Sequence, residues 1–426
     1  MKTLCIALCS ILLTLSSCAQ KDQVAVVSNK NGVKLMVNGK DFFINGINWD
    51  YFPIGKNFEY SLWNQSEEFI EKALESEMSL LQKMGVNTIR VYSGIPPKWI
   101  THIYKNYGIY TMLNHSFGRY GNTVNNQWIP VTDYRNPETQ KGLLSEVTHM
   151  AKAYKDTPGL LLFLLGNENN YGLFWAGSET EDFPDDENQK REMGEKRGRP
   201  MYKLFNEAAK LMKEIDKNHP VAVCNGDLLF ADMFADECKD VDIFGTNMYR
   251  GKSFGDAFIR VKKEINKPIL FTEFGADAFN AKTNAEDQKM QAYFMIENWK
   301  EIYVNAANLG EANNSIGGFT FQFSDGWWKY GQTKNLEIHD NNASWSSAGY
   351  HFDFTEGSKN MNEEWFGICA KETPDQDGFY ALKPRVAYYA IQEIHQLNPY
   401  KKGLTKEFIS NYFKNIQAKH TGLSKE

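Results

Sequence analysis

The strongest constraint on this 426-residue chain is the repeated alternation of short apolar segments with helical segments. GLLLFLLG at 159–166 is typical, because an unbroken apolar run of this length suits a strand that is buried on both faces. Seven other segments follow the same pattern, and most of them lead into a helical pattern: 44–49, 87–92, 108–115, 220–226, 241–249, 267–275 and 316–324. Eight strand–helix units predict an α/β fold of the (β/α)8 barrel type, the TIM barrel.

A doubly wound open sheet is the structural alternative to the barrel. Such sheets usually carry a glycine-rich nucleotide loop after an early strand, and neither GxGxxG nor GxxxxGK[ST] occurs at those places. The missing loop favours the barrel.

Two kinds of addition to the barrel are predicted. A short N-terminal β-hairpin turns at Asn38-Gly39, within GVKLMVNGKDFF. Long loops follow strand 4, at 173–199, and strand 8, at 325–380, and loops of such length in a compact domain are commonly functional. The barrel domain is placed at 33–398, and the C-terminal tail at 399–426 is given no function.

The first residues have the layout of a secretory leader. Lys2 precedes an apolar run from Leu4 to Leu15, which is too short for a stable membrane span. Leu15-Ser16-Ser17-Cys18 is similar to a bacterial lipobox, which implies a signal peptide at 1–17, a lipidated Cys18 and a tether at 18–32. We therefore expect an exported protein anchored by lipid to a bacterial membrane, on its periplasmic or cell-surface side. An ordinary cleaved signal with an incidental cysteine is the alternative.

Composition excludes several classes of partner and cofactor. A formal net charge of −6 gives no electrostatic basis for binding nucleic acid. Beyond the leader only Cys224, Cys238 and Cys369 remain, widely spaced and without a metal-ligand pattern, so no metal or cofactor is expected. No later stretch is apolar and long enough for a transmembrane helix in the mature protein.

Polar residues follow the apolar part of most predicted strands, where barrel enzymes place their active sites. Candidate residues at these ends are Arg90, His115, Asn167, Glu168, Asn247, Tyr249, Glu273 and, beyond strand 8, Trp327. His115 has two interpretations, because it could line a sugar site or satisfy a buried hydrogen bond.

The two acids suggest a specific chemistry. Glu168 and Glu273 end strands 4 and 7, which face each other across the mouth of an eight-stranded barrel. Such a pair suits glycoside hydrolysis, in which one carboxylic acid protonates the leaving oxygen and the other carboxylate acts on the anomeric carbon. Arg90 and Tyr249 are candidate partners that would keep Glu273 ionised, and the amide of Asn167 could bind a sugar hydroxyl.

These motifs resemble the retaining β-glycosidases of glycoside hydrolase clan A. The resemblance is carried by Gly166-Asn167-Glu168, by Thr272-Glu273-Phe274-Gly275 and by Asn247-x-Tyr249, and it extends from about Phe42 to Gln396. Within the clan the chain is most similar to family 2 catalytic barrels. The stretch from VDIFGTNMY at 241–249 to KPILFTEFG at 267–275 also resembles the β-1,3-glucanosyltransferases.

The resemblance implies a role for each matching residue. Glu168 would be the acid/base and Glu273 the nucleophile of a retaining double displacement on a β-linked carbohydrate, with carboxyl groups about 5 to 5.5 Å apart. Asn167 would bind the sugar 2-hydroxyl, and Trp327 would form the floor of the −1 subsite. Tyr249 and Arg90 would hold the nucleophile.

Two other functions are compatible with these residues. A β-glucanosyltransferase would use the same acids with a sugar in place of water as the acceptor. A carbohydrate-binding lipoprotein would keep the fold without catalysis, although the presence of both acids and Tyr249 argues against it.

Overall fold

The computed structural model describes residues 22–92, 94–174, 184–281, 283–329, 331–341 and 362–422. The proposed signal peptide and Cys18 lie outside these residues. Among the described residues, no helix has the length and apolar character needed to cross a membrane.

Eight parallel strands close into a barrel, which confirms the predicted fold. We label them β1–β8 in chain order, and this is also their order around the ring. Seven of them lie within the segments predicted for them, and the eighth begins at Ser315, one residue before its predicted segment. Their bounds are Ile44–Asn48, Thr88–Val91, Tyr110–His115, Leu160–Leu165, Val221–Gly226, Ile243–Asn247, Ile269–Phe274 and Ser315–Thr320.

The described residues form ten α-helices that flank and extend the barrel. In chain order α1–α10 are Glu67–Met84, Pro97–Tyr107, Pro137–Tyr154, Glu187–Met193, Arg199–Ile215, Ala231–Glu237, Ala257–Arg260, Gln288–Val304, Val386–Ile394 and Lys406–Thr421. The first of these shows why the ends fall where they do. The Ser66 side chain accepts a hydrogen bond from the backbone N–H of Phe69, and Gly85 ends the helix with a left-handed φ of 80°.

Strand β4 is apolar throughout because both of its faces are buried. Leu162 and Leu164 pack with other inward-facing residues in the barrel interior. Phe163 and Leu165 pack between the strands and the surrounding helices. A strand covered on both sides has no solvent face on which polar residues could alternate.

The N-terminal strands close the lower end of the barrel. Val24–Asn29, Gly32–Val37 and Lys40–Phe42 form a three-stranded antiparallel sheet that contains the predicted hairpin. Its residues Val24 and Leu35 belong to the same apolar cluster as the barrel interior. The first of these strands lies in the stretch assigned to the tether.

The remaining elements lie outside the ring of barrel strands. After β4, helix α4 continues through a π-helical turn at Gly194–Gly198 into α5. In the C-terminal tail, α10 packs against α8, and its Phe413 ring contacts Tyr303 at a centroid distance of 5.4 Å. The other short strands are Asn122–Val124, Gln127–Ile129, Phe279–Asn280, Ala285–Glu286, Cys369–Lys371 and Leu382–Pro384, and the 3-10 turns are Leu62–Asn64, Tyr171–Leu173 and Glu363–Trp365.

Candidate active site

The carboxyl ends of the barrel strands bring most of the predicted site residues together. Glu273 has the most completely defined hydrogen-bonding environment among them, because three donor groups surround its carboxylate. Nη1 of Arg90 and the hydroxyl of Tyr92 lie 2.8 and 2.6 Å from Oε1, and the hydroxyl of Tyr249 lies 2.9 Å from Oε2. The residue is only 6% exposed. A guanidinium and two hydroxyl groups around one buried carboxylate fix its position and orientation.

Arg90 links strands on opposite sides of the barrel. It is fully buried, and besides Glu273 it donates through Nη2 to Oδ1 of Asn114 at 2.8 Å and to Oδ1 of Asn167 at 2.7 Å. Oδ1 of Asn247 lies 3.3 Å from Nη1. Because the guanidinium is planar and its donors are fixed, these acceptors define its orientation and thereby the position of the Glu273 carboxylate.

The amide of Asn167 is oriented by the same network. Its Oδ1 accepts hydrogen bonds from Arg90 and from Nδ2 of Asn247, the latter at 3.0 Å. Its Nδ2 donates to the hydroxyl of Tyr120 at 2.8 Å. The oxygen is therefore occupied by protein donors, so the amide NH2 group is the part that can serve a sugar hydroxyl.

Glu168 lies in a turn that holds an unusual backbone conformation. Its φ is 60°, a left-handed value that costs a non-glycine residue on the order of 1–3 kcal/mol. Its backbone N–H donates to the carbonyl of Cys224 on β5 at 3.1 Å. Such conformations concentrate at functional sites, where they aim a side chain that a relaxed turn would place elsewhere.

Two asparagines hold this turn in place through hydrogen bonds to the backbone. Oδ1 of Asn169 accepts from the backbone N–H of Asn167 at 2.7 Å. The amide of Asn170 exchanges two hydrogen bonds with the backbone of Gly226 at the end of β5, at 2.7 and 2.8 Å. The asparagines of GNENN, which a simple turn does not need, therefore fix the acid-bearing loop to the neighbouring strand.

Both acids act electrostatically on the same tyrosines. The pKa of Tyr249 lies well above its usual value because the residue is buried, and the negative charges of Glu273 and Glu168 raise it further. Burial also raises the pKa of Tyr120 to about 12, again with contributions from Glu168 and Glu273. Both carboxylates therefore lie close enough to Tyr120 and Tyr249 to affect their pKa values.

Five residues of this network were not among the predicted site residues: Asn48, Tyr92, Asn114, Tyr120 and Cys224. Tyr92 contacts Glu273, and its hydroxyl also lies 2.8 Å from Oδ1 of Asn48 at the end of β1. Cys224 lies on the inner wall, with Sγ 3.1 Å from Oδ1 of Asn247. Burial raises the pKa of this thiol to about 11, so it remains protonated and unreactive at neutral pH. The spacing Arg90-x-Tyr92, which places both side chains on one face of a strand, was the signal for Tyr92.

His115 and Trp327 lie at the edge of the network. Nδ1 of His115 accepts from the backbone N–H of Phe117 at 3.1 Å, and Nε2 lies 3.4 Å from Oε2 of Glu146 on α3. The Trp327 ring stacks on His339 at a centroid distance of 4.6 Å. These contacts are made with protein groups, so contact with a sugar stays a prediction for both residues.

A polar cavity adjoins the turn that carries Glu168. Its volume is about 490 Å³, within the range of small-molecule sites. It lies among the loops after β4, β5 and β6 and is lined by Tyr171, Pro184, Asp185, Lys190, Asp227, Leu228, Leu229, Arg250 and Arg260. The cavity is therefore on the side of the acid and next to it in the chain.

Comparisons with known proteins agree with this fold. The family model described as "Glycosyl hydrolases family 2, TIM barrel domain" matches residues 27–335. A GH2 beta-galacturonidase from Eisenbergiella tayi is similar with a TM-score of 0.54 and 14% identity, over 88% of this chain and 55% of that chain. A beta-glucuronidase from Bacteroides uniformis is similar with a TM-score of 0.55 and 13% identity, over 87% of this chain and 37% of that chain. At these identities the structural likeness establishes the fold.

A curated relative matches over a shorter stretch. A probable 1,3-beta-glucanosyltransferase of Saccharomyces cerevisiae is 32% identical over 132 residues, which are 30% of this chain and 23% of that protein. The chain thus spans between 23% and 55% of the length of these three proteins.

Proposed function

This chain belongs to the glycosyl hydrolases of family 2 through their TIM barrel domain, and we propose that it cleaves β-linked glycosides by double displacement with net retention. The observation that carries the proposal is the set of three donors around Glu273. A carboxylate held in one orientation at the barrel mouth is suited to attack an anomeric carbon, and Arg90, Tyr92 and Tyr249 hold it there.

Glu168 supplies the proton in this mechanism. In the first step it protonates the glycosidic oxygen while Glu273 attacks the anomeric carbon, so the C–O bond breaks and a glycosyl-enzyme ester forms. In the second step the Glu168 carboxylate removes a proton from water, which attacks the same carbon and releases Glu273. Two inversions at one carbon leave the β configuration unchanged.

Asn167 positions the sugar during both steps. Because Arg90 and Asn247 hold its Oδ1, its Nδ2 presents a donor beside both acids, where a 2-hydroxyl would accept it. Hydrogen bonds to this hydroxyl strengthen as charge develops at the anomeric carbon.

The polar cavity receives the leaving group in this proposal. An acid that protonates the glycosidic oxygen lies on the side of the departing sugar, and the cavity begins at Tyr171, three residues after Glu168. Its mixture of carboxylates, cationic groups and one tyrosine offers donors and acceptors for sugar hydroxyls.

The decisive experiment follows the anomer that is released first. Purified protein would be screened against β-1,3-glucan, β-mannan, β-galactosides and β-glucuronides, and hydrolysis of a cleaved substrate would be followed by proton NMR. The β anomer as first product supports retention. The α anomer as first product, or cleavage of α-linked substrates alone, would contradict the proposal.

Transfer to a sugar acceptor is a second candidate, favoured by the local identity to the probable glucanosyltransferase. The same glycosyl-enzyme would form, and a sugar hydroxyl would replace water in the second step. Products longer than the substrate, at high substrate concentration, would identify this activity.

We also propose export and lipid anchoring from the lipobox-like Leu15-Ser16-Ser17-Cys18. Two acyl chains on Cys18 would anchor the protein firmly. Labelling with a palmitate analogue in a bacterial host would be lost in Cys18→Ala if this is correct. Persistence of the label in that variant would contradict it.

A further inference from the structure

Arg119 is a buried arginine whose guanidinium has no hydrogen-bond partner in the described part of the chain. It is 2% exposed, and none of its three guanidinium nitrogens meets an acceptor among the described residues. Two other arginines are equally buried, and both bind carboxylates: Arg90 binds Glu273, and Arg385 binds Asp325 through both terminal nitrogens. A buried cation without an anion is costly, so its presence needs an explanation.

The guanidinium lies against the loop that carries the proposed acid. A Cβ at Gly172 would stand 2.4 Å from Nη1 of Arg119, so the guanidinium occupies the space that any other residue at 172 would fill. Gly172 belongs to the turn Tyr171–Leu173, and its N–H is directed at the carbonyl of Glu168 at 3.4 Å. The glycine therefore makes room for a cation four residues after Glu168.

On its other side Arg119 packs near the sugar-binding amide. Its Cζ lies 5.4 Å from the centroid of the Tyr120 ring, and the Tyr120 hydroxyl accepts a hydrogen bond from Asn167. The positive charge of Arg119 lowers the pKa of Tyr120 against the larger effect of burial, while Glu168 raises it. Arg119 and Glu168 thus flank the same tyrosine.

Within the part of the chain that the structure describes, no carboxylate is hydrogen-bonded to Arg119. The single acidic residue between β3 and α3, Asp133, is bound through both oxygens by Arg135, at 2.8 Å each. Arg197 adds a further positive charge beside Tyr134. The Tyr134 hydroxyl donates to the carbonyl of Phe117. The carboxylate of this loop is therefore already bound by another arginine.

We propose that Arg119 binds a carboxylate of the substrate, which makes the substrate a β-linked glycoside that contains a uronic acid. The inference rests on the proposed function and names its substrate class. The planar fork of a guanidinium matches a carboxylate with two parallel hydrogen bonds, and a neutral sugar has no group of that charge. Because Tyr120 and Gly172 pack against the guanidinium, binding includes a displacement of the Tyr120 ring or of the turn at 171–173.

The kinetic test compares acidic and neutral substrates of matched shape. The ratio of kcat/KM for 4-nitrophenyl β-D-glucuronide to that for the β-D-glucoside, and the same ratio for galacturonide and galactoside, would be measured in wild type, Arg119→Met and Arg135→Met. We expect a ratio above one in wild type for at least one pair. We expect a fall of about 30-fold or more in Arg119→Met, and no change in Arg135→Met. Cleavage of neutral glycosides with a ratio that Arg119→Met leaves unchanged would overturn the inference while the proposed function stands.

A binding test separates the inference from catalysis. Free glucuronate should raise the unfolding temperature of wild type more than glucose does, and Arg119→Met should lose this difference. Without sugar, Arg119→Met should unfold at the wild-type temperature or above it, because the variant removes an unpaired buried charge. If no glycoside is cleaved, the proposed function fails, and the glucuronate result still decides the role of Arg119. Stabilisation by a sulfated sugar and not by glucuronate would also overturn the assignment.

Discussion

Arg90 and Glu273 form an ion pair whose side chains are 0% and 8% exposed, with Nη1 and Oε1 2.8 Å apart. Burying two charges is expensive, and the expense is offset only where further hydrogen bonds satisfy both groups. Here the amide oxygens of Asn114 and Asn167 accept further hydrogen bonds from the guanidinium. The hydroxyl groups of Tyr92 and Tyr249 supply further donors to the carboxylate. The pair therefore couples the stability of the barrel to the geometry of its active site.

Replacement of Arg90 tests this coupling. Arg90→Met should lower the free energy of unfolding by about 3–5 kcal/mol, because it leaves a buried carboxylate without its cation. Urea denaturation would measure the change. Arg260→Met, which removes an exposed pair with Glu264 one helical turn away, should cost less than about 1 kcal/mol. Equal effects of the two variants would contradict a structural role for the buried pair.

The hydroxyl of Tyr249 should contribute to the rate and not to the fold. Tyr249→Phe removes one donor from the Glu273 carboxylate and should lower kcat/KM by about 10- to 100-fold, the usual effect of one hydrogen bond to a charged group. Steady-state kinetics on a cleaved glycoside would measure it. Tyr388→Phe removes a hydroxyl that donates to the Leu80 carbonyl away from the site, and it should leave kcat/KM unchanged. A full rate in Tyr249→Phe would exclude the hydroxyl from transition-state stabilisation.

The role of Asn167 can be separated from general damage by the choice of substrate. Asn167→Ala should lower kcat/KM by about 100-fold on a glycoside with a 2-hydroxyl. On the matching 2-deoxy glycoside, wild type and variant should differ far less, because the hydrogen-bond partner is already missing. An equal loss on both substrates would show that Asn167 acts by orienting Arg90 and not by binding the hydroxyl.

The fold was predictable because its signal is repeated. Eight apolar runs identify the strands, and the polar residues that end most of them identify the end of the barrel that carries the site. The predicted partners of Glu273, Arg90 and Tyr249, follow from these strand ends. Tyr92 was harder to assign, because Arg90 and Tyr92 share a face and only the stagger of the closed barrel decides which side chains reach across to β7.

Contacts between loops could not be predicted at all. Trp327 stacks on His339, whose other face stacks on Trp365 at 3.9 Å, and these residues share no periodic spacing. The lack of a partner for Arg119 among the described residues could not be predicted from the sequence either, because it depends on which carboxylates the other arginines bind. The role of the apolar face of α10 is apparent only in the folded structure, where α8 covers it.

The polar cavity beside Glu168 should determine how KM depends on the leaving group of the substrate. Leu229 lines it, and Leu229→Arg should fill it, whereas Leu229→Ala keeps it open. We expect Leu229→Arg to raise KM for an oligosaccharide by about 10-fold, and to change KM for the 4-nitrophenyl glycoside of the same sugar much less. Equal effects on both substrates would place the leaving group elsewhere.

Glu77 offers a test of pH dependence outside the catalytic residues. It projects from α1 into the apolar layer, is 1% exposed and accepts a hydrogen bond from Nε1 of Trp49 at 2.6 Å. Burial raises its pKa to about 7, against opposing effects of Lys371 and Trp49. The folded protein therefore holds a proton on Glu77 at pH values where the unfolded chain has released it.

The difference between the folded and unfolded pKa values of Glu77 determines how stability changes with pH. The contribution of Glu77 to stability is fully present below its unfolded pKa of about 4.5 and is lost as the pH rises to about 7, because the folded state then carries a buried charge. Glu77→Gln keeps an acceptor for Trp49 without that charge, so at pH 8 it should be more stable than wild type. Urea denaturation between pH 5 and 8 should show a decline in wild type and in Glu75→Gln, its exposed neighbour on α1, and a flatter profile in Glu77→Gln. Parallel profiles in all three proteins would exclude Glu77 as the titrating group.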